Sequence, residues 1–210
     1  MKKIAYLLEF ILIKILFILF ELIGYRLSSN LGFFIGKTIG PLFRSKRMII
    51  QNLKKAKIPH PSNPSKIASN VLGNYGRIFA EYVYLKKFKN NKLRKYLSID
   101  GLEHLEYLKK YNKKAVFISG HFNNFELMAM QIEKAGIDLA TIYRPLNNIF
   151  LNKTMEKIRR EYICKNQIKK GRAGTREIIK NMIEGKSIAL MIDQRVREGE
   201  KVKFFNNLAT

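Results

Sequence analysis

Residues 114–145 read KAVFISGHFNNFELMAMQIEKAGIDLATIYRP. An apolar run, KAVFIS, ends in Gly120-His121, and the next segment changes to helical spacing and closes at Gly136. A second apolar run, DLATIY, is then stopped by Pro145. A short apolar run bounded by turn residues reads as a buried strand, and a following segment with apolar positions three and four apart reads as a helix. Strands alternating with helices imply an α/β domain with a largely parallel sheet, so the stretch decides for that class.

The pattern continues on both sides. IDGLEHLEYLKKYN (99–112) reads as a short strand and a helix, NIFLNKTMEKIRREYI (148–163) as a helix, and RAGTREIIKNMIEG (172–185) as another closed by Gly185. SIALMID (187–193) is a third strand. Residues 96–210 are therefore expected to form an α/β core with a mixed, largely parallel sheet flanked by helices. In such sheets chemistry collects at the carboxyl ends of the strands. Those ends carry His121, Tyr143-Arg144 and Asp193-Gln194.

Upstream, residues 4–24 read IAYLLEFILIKILFILFELIG, the length of a bilayer crossing. Glu9, Lys14 and Glu21 interrupt it, and a central lysine costs about 2.5–3.5 kcal/mol, against about 0.3–0.6 kcal/mol returned by each Leu, Ile or Phe. The sum favours insertion, so residues 1–28 are expected to be a membrane anchor. Arg26, Lys37, Arg44, Lys46, Arg47, Lys54 and Lys55 follow it, which by the positive-inside tendency predicts a single pass with the rest cytoplasmic. Residues 29–95 form a helical region. Its NLGFFIGKTIGPLF and SKRMIIQNLKKAKI segments suit either a surface that hugs a membrane or an amphipathic helix packed on the core. IPHPSNPS (58–65) is a loop, and Ser65 is the expected cap of a helix over 66–84.

The chain has 210 residues, 47% of them hydrophobic, enough for a folded core. Forty Lys and Arg against sixteen Asp and Glu give a net charge of +24. An AT-rich coding bias, which raises Lys, Asn and Ile together, accounts for part of this excess. The remainder favours an acidic partner: nucleic acid, an anionic membrane, or an acidic protein. Nucleic acid is disfavoured because the aromatic residues sit in apolar runs rather than between lysines on a polar face. Cys164 is the sole cysteine, so no internal disulfide forms. His60, His104 and His121 are scattered, which argues against a metal centre.

His121 leaves a strand as a helix begins, and Glu126 follows five residues later. That spacing suits an imidazole base and a carboxylate that fixes its tautomer. It equally suits a structural histidine and a glutamate answering the helix dipole.

GHFNNFELM (120–128) resembles the His-x4-Glu block of the lipid A late acyltransferases, the lauroyl and myristoyl transferases of Gram-negative envelopes. Their usual form is Gly-His-x-Gly-Asn-Trp-Glu. Here Asn123 replaces the glycine and Phe125 the tryptophan, while Asn124, His121 and Glu126 are kept. NYGRIFAEYVYL (74–85), IDGLEHLEYL (99–108), TIYRPLNN (141–148), MIDQ (191–194) and FFNNLAT (204–210) are similar to further family segments in the same order.

The resemblance implies a glycerolipid-acyltransferase-like fold and transfer of an acyl group from an acyl carrier protein thioester to a hydroxyl of a lipid A precursor, without a cofactor. It implies His121 as general base with Glu126 in support. It implies substrate or oxyanion roles for Asn124, Arg144, Arg159, Asp193 and Gln194, and an inner membrane with anionic lipids as the setting. Family members are longer, so the chain is expected to be a C-terminally truncated form. An acyl-CoA-dependent relative, a thioester hydrolase and a membrane-tethered nucleic-acid binder are the competing expectations.

Overall fold

The computed structural model describes residues 2–57, 63–193 and 200–209. Most of the proline loop at 58–65, and Gln194, lie outside the described residues. The chain divides into two units, one of Met1–Ile18 with Tyr84–Asp193, the other of Leu19–Val83 with Gln194–Thr210.

The first unit holds the α/β core. Its strands are β1 (Val116–Ser119), β2 (Leu139–Tyr143), β3 (Asn166–Lys169) and β4 (Ser187–Met191). They form one parallel sheet in the order β1-β4-β2-β3, with Ser119 opposite Met191 and Leu139 opposite Ser187. The core of the sheet is Ala140, Ile168 and Ile188, with Ile142, Ile178 and Leu190 against them. The β-branched and small side chains fit a strand buried on both faces, as a parallel sheet requires.

The helices here, α6 (Leu102–Lys110), α7 (Glu126–Lys134), α8 (Ile149–Ile158) and α9 (Arg172–Ile183), follow the predicted alternation. A short α5 (Leu85–Lys89) precedes them. Gly136 and Gly185 close α7 and α9 at φ of 87° and 80°, where a side chain would be strained. The short strand expected before α6 does not form; Asp100-Gly101 is a bend, with Gly101 left-handed at φ 80°. Strand β3, NQIK, was not expected, because three polar residues in four leave no apolar run to read. α8 runs on into a π turn over Arg159–Ile163.

α1 (Lys2–Ile23) has the length of a crossing but not its composition. Glu9, Lys14 and Glu21 are spaced so that no long stretch is free of charge, and among the described residues no helix is long and apolar enough to cross a membrane. The expected span at residues 4–24 is therefore not supported.

In the second unit α2 (Tyr25–Phe43), α3 (Lys46–Ala56) and α4 (Pro64–Glu81) are helices, and β5 (Val202–Phe204) and β6 (Asn207–Ala209) form an antiparallel hairpin. α4 is capped by Asn63, whose side chain accepts from Ser65 N at 2.8 Å, rather than by Ser65. Pro64 supplies the first turn, where its missing N–H is no loss. α2 and α4 approach closely because glycines face each other: a Cβ on Gly32 would lie 2.5 Å from Gly76 O and 2.6 Å from Ala80 Cβ. Beside this contact the buried Glu81 accepts from Ser29 Oγ at 2.7 Å, and Arg77 Nη1 donates to Ser29 Oγ at 2.9 Å.

Candidate active site

Strand order builds the site. β1 and β4 are neighbours, so the residues that leave their carboxyl ends, His121 and Asp193, stand side by side. His121 N–H donates to Asp193 Oδ2 at 2.8 Å, and His121 Nδ1 lies 2.7 Å from Asp193 Oδ1. With the proton on Nδ1, a tautomer set by that bond, Nε2 is left with its lone pair. Burial acts to raise the Asp193 pKa, but the hydrogen bonds from the His121 backbone and ring outweigh it, so the carboxyl is held below its ordinary value. The two side chains are 33% and 40% exposed, which leaves the imidazole open to a substrate.

Four local features shape the turn around that pair. Gly120 has no Cβ, which would meet the Phe122 ring at 2.8 Å and Asp193 Oδ2 at 3.2 Å. Asn123 is left-handed at φ 41°. That conformation explains why glycine suits the position, and asparagine is among the few other residues that tolerate it. Phe125 sets the edge of its ring against the imidazole, centroids 4.7 Å apart at 77°. Asn124 closes the turn: its carbonyl accepts from Leu127 N at 3.1 Å as α7 starts.

Glu126 opens α7 and is buried. Arg159 Nε donates to Glu126 Oε1 at 3.1 Å, and Nη2 makes an ion pair with the same oxygen at 3.0 Å. The carboxylate that meets Nδ1 of the imidazole is thus that of Asp193, and Glu126 holds Arg159. The Arg159 guanidinium also lies 5.8 Å from the centre of the Tyr143 ring. Tyr143 in turn donates to Glu156 Oε1 at 2.5 Å, and Asn152 Nδ2 donates to the same oxygen at 3.0 Å. Burial, with the bond to Glu156, pushes the Tyr143 phenol up to about 12. The Tyr143 hydrogen bond, aided by Asn152 and nearby cations, keeps the Glu156 carboxyl below its ordinary value against the effect of burial.

Asn152 Oδ1 accepts from Leu146 N at 2.8 Å, which fixes the loop after β2. Arg144, on that loop, is exposed and forms no ion pair with the described residues. Asn152, Glu156 and Arg159 were not foreseen as one set, although spacings of four and three place them on one helix face. Lys153, Glu156, Lys157, Arg160 and Glu161 line a shallow groove of about 510 Å³ on the same helix and its π turn.

Cys164 is fully buried, its Sγ donating to Leu139 O at 3.0 Å. Burial, with Glu133 beside it, pushes the thiol up to about 12. It is no thiolate at neutral pH.

The arrangement supplies a part-exposed imidazole, a carboxylate that orients it through Nδ1, and an Arg–Glu pair in which Glu126 is buried and Arg159 half-buried. That is equipment for taking a proton from a hydroxyl beside an electrophilic carbonyl. No curated protein matches the chain. The family model for bacterial lipid A biosynthesis acyltransferases matches residues 1–210, and the chain belongs to that family of acyltransferases.

Proposed function

We propose that the protein transfers a fatty acyl group from an acyl carrier protein thioester to a hydroxyl of a lipid A precursor at the cytoplasmic face of the inner membrane. His121 is the general base. The observation that carries this reading is the His121–Asp193 pair at the carboxyl ends of adjacent strands, its imidazole one-third exposed at 33%.

His121 Nε2 takes the proton from the acceptor hydroxyl as its oxygen attacks the thioester carbonyl carbon. A C–O bond forms, and the carbonyl electrons move onto oxygen. Collapse of that oxyanion breaks the C–S bond, and the proton on Nε2 passes to the departing thiolate. Asp193 holds the ring and stabilises the imidazolium between the two transfers. Glu126 supports the site through Arg159, which it fixes beside Tyr143. Arg159 is assigned to favour negative charge developing on the carbonyl oxygen.

Arg144, with Asn124 and Gln194, is assigned to the acceptor side. The lysines and arginine of the groove on α8 suit its phosphates or an acidic donor protein. Transfer is direct, because the buried, protonated Cys164 offers no nucleophile.

The test is transfer of labelled acyl groups from acyl carrier protein thioester to a tetra-acylated lipid A precursor in membranes holding the protein. Product that disappears in His121→Ala supports the reading. Preference for acyl-CoA would change the donor, acyl release without acceptor would make the protein a hydrolase, and activity that survives His121→Ala would remove the base.

A further inference from the structure

Glu156 has no role in the proton transfers at His121, yet donors from three elements converge on one of its oxygens. Oε1 accepts from the Tyr143 hydroxyl at 2.5 Å and from Asn152 Nδ2 at 3.0 Å, and Lys169 Nζ lies 3.7 Å away. Tyr143 ends β2, Lys169 ends β3, and Asn152 stands one turn earlier than Glu156 on α8. The Glu156 side chain is only 21% exposed. The Tyr143 hydrogen bond nevertheless holds its pKa below the ordinary value against the effect of burial, so at neutral pH it is a fixed anion rather than a proton carrier.

That anion fixes the chain on both sides of Arg144. A carboxylate oxygen only accepts, so the NH2 of Asn152 must face it, and this turns Asn152 Oδ1 toward the segment after β2. There Oδ1 accepts from Leu146 N at 2.8 Å. Tyr143 is held at its hydroxyl by Glu156, and its carbonyl accepts from Lys170 N at 2.8 Å. Only Arg144 and Pro145 lie between these two fixed points, and the proline adds its own locked φ. The Tyr143 ring also stands 5.8 Å from the Arg159 guanidinium. A ring held at its hydroxyl gives Arg159 an aromatic support in addition to its pair with Glu126.

We propose that Glu156 is a positioning residue that places Arg159 and Arg144 together, the first through the Tyr143 ring and the second through Tyr143 and Asn152. Arg159 is assigned to the charge on the thioester carbonyl and Arg144 to the acceptor. One carboxylate off the reaction path thus sets the relation between the sites of the two substrates. The proposal rests on the acyl-transfer reading for what the two arginines do, and on the contacts alone for how they are held.

The test makes Glu156→Ala and Glu156→Gln alone and in an Arg159→Lys background, and measures transfer from acyl carrier protein thioester to the lipid A precursor. Glu156→Ala leaves Tyr143 and Asn152 without their acceptor. Its kcat should fall about 10- to 100-fold, the scale of a displacement near 1 Å, and KM for the lipid acceptor should rise. Glu156→Gln keeps an accepting oxygen and should recover most of that loss. Arg159→Lys keeps a charge but not the planar group that faces the ring, so in that background Glu156→Ala should lower kcat little further. Loss through instability alone would be the same in both backgrounds. Hydrogen exchange of the Leu146 amide, read in a peptide covering residues 144–150, needs no activity. It should quicken in Glu156→Ala and not in Glu156→Gln. Equal fold losses of kcat in the two backgrounds, or Leu146 exchange unchanged in Glu156→Ala, would overturn the proposal. A wild type that transfers no acyl group would overturn the reaction instead, and the exchange result would still decide the placement.

Discussion

Replacing Asp193 by Asn isolates the contact on which the catalytic proposal rests. The carboxylate accepts from His121 N–H at 2.8 Å and from the ring at 2.7 Å. An amide keeps the size but loses the charge, and its NH2 cannot accept from Nδ1–H. A hydrogen bond to a charged group contributes about 1.5–3 kcal/mol. With the partners 33% and 40% exposed, solvent screening puts the value at the low end, about 1.5 kcal/mol. That alone is about a tenfold loss of rate. Inversion of the tautomer adds to it, with the roughly 10⁴-fold loss known for a fully buried aspartate as the ceiling.

The expected result is a fall in kcat of about 10- to 100-fold, with KM little changed, because Asp193 acts when the imidazolium forms rather than when substrate binds. The assay is acyl transfer at saturating thioester, on wild type, Asp193→Asn, His121→Ala and the double variant. Residues that act as a unit are not additive, so the double variant should be no slower than His121→Ala. A folded Asp193→Asn enzyme with full kcat, or losses that multiply in the double variant, would refute the assignment of Asp193 to the imidazole.

Three further outcomes are expected. Gly32→Ala forces a methyl to 2.5 Å from the Gly76 carbonyl, which as backbone cannot swing aside; it should cost about 1–3 kcal/mol, read as a lower urea midpoint with the slope unchanged. Cys164, pushed up to about 12 by burial, should resist thiol reagents in the native state at neutral pH and react only on unfolding, while Cys164→Ser keeps transfer activity. Because the Asp193 pKa is lowered by folding, its contribution to stability is present above the ordinary aspartate range and is lost as pH falls through the lower folded value. Wild type and Asp193→Asn should therefore differ in urea stability at neutral pH and converge in acid.

The α/β core was legible because its strands are short apolar runs and its helices end at Gly136 and Gly185, signals carried by single residues. What escaped were elements without such signals. β3 is mostly polar and gains its identity only from pairing with β2, and the hairpin of β5 and β6 turns through Phe205 and Asn206 at φ 47° and 59° without the glycine that usually marks it.

The site was legible in its residues and not in its pairings. His121, Asp193, Glu126 and Arg159 could all be named from the chain, but the partner of His121 follows from β4 lying beside β1, and sequence spacing says nothing of strand order. Glu126 was close in sequence, whereas Asp193 is close in space. In α1 the length of the apolar run pointed to a crossing, while Glu9, Lys14 and Glu21 are spaced so that the helix is not apolar enough for one.

The sheet order also has a consequence for how the protein is made. Among the described residues β1 has no neighbouring strand until β4 is available, since β4 lies between β1 and β2 in the sheet. The strand that carries His121 must therefore wait for a segment 72 positions downstream of the histidine, the separation between His121 and Asp193. At about 5–20 residues per second of synthesis, a ribosome needs several seconds to supply it, and so long-range a contact forms slowly even afterwards. During that interval His121 is present without Asp193, so under the proposed mechanism the growing chain lacks its oriented base. Under that mechanism the order of the strands delays activity until the sheet has closed.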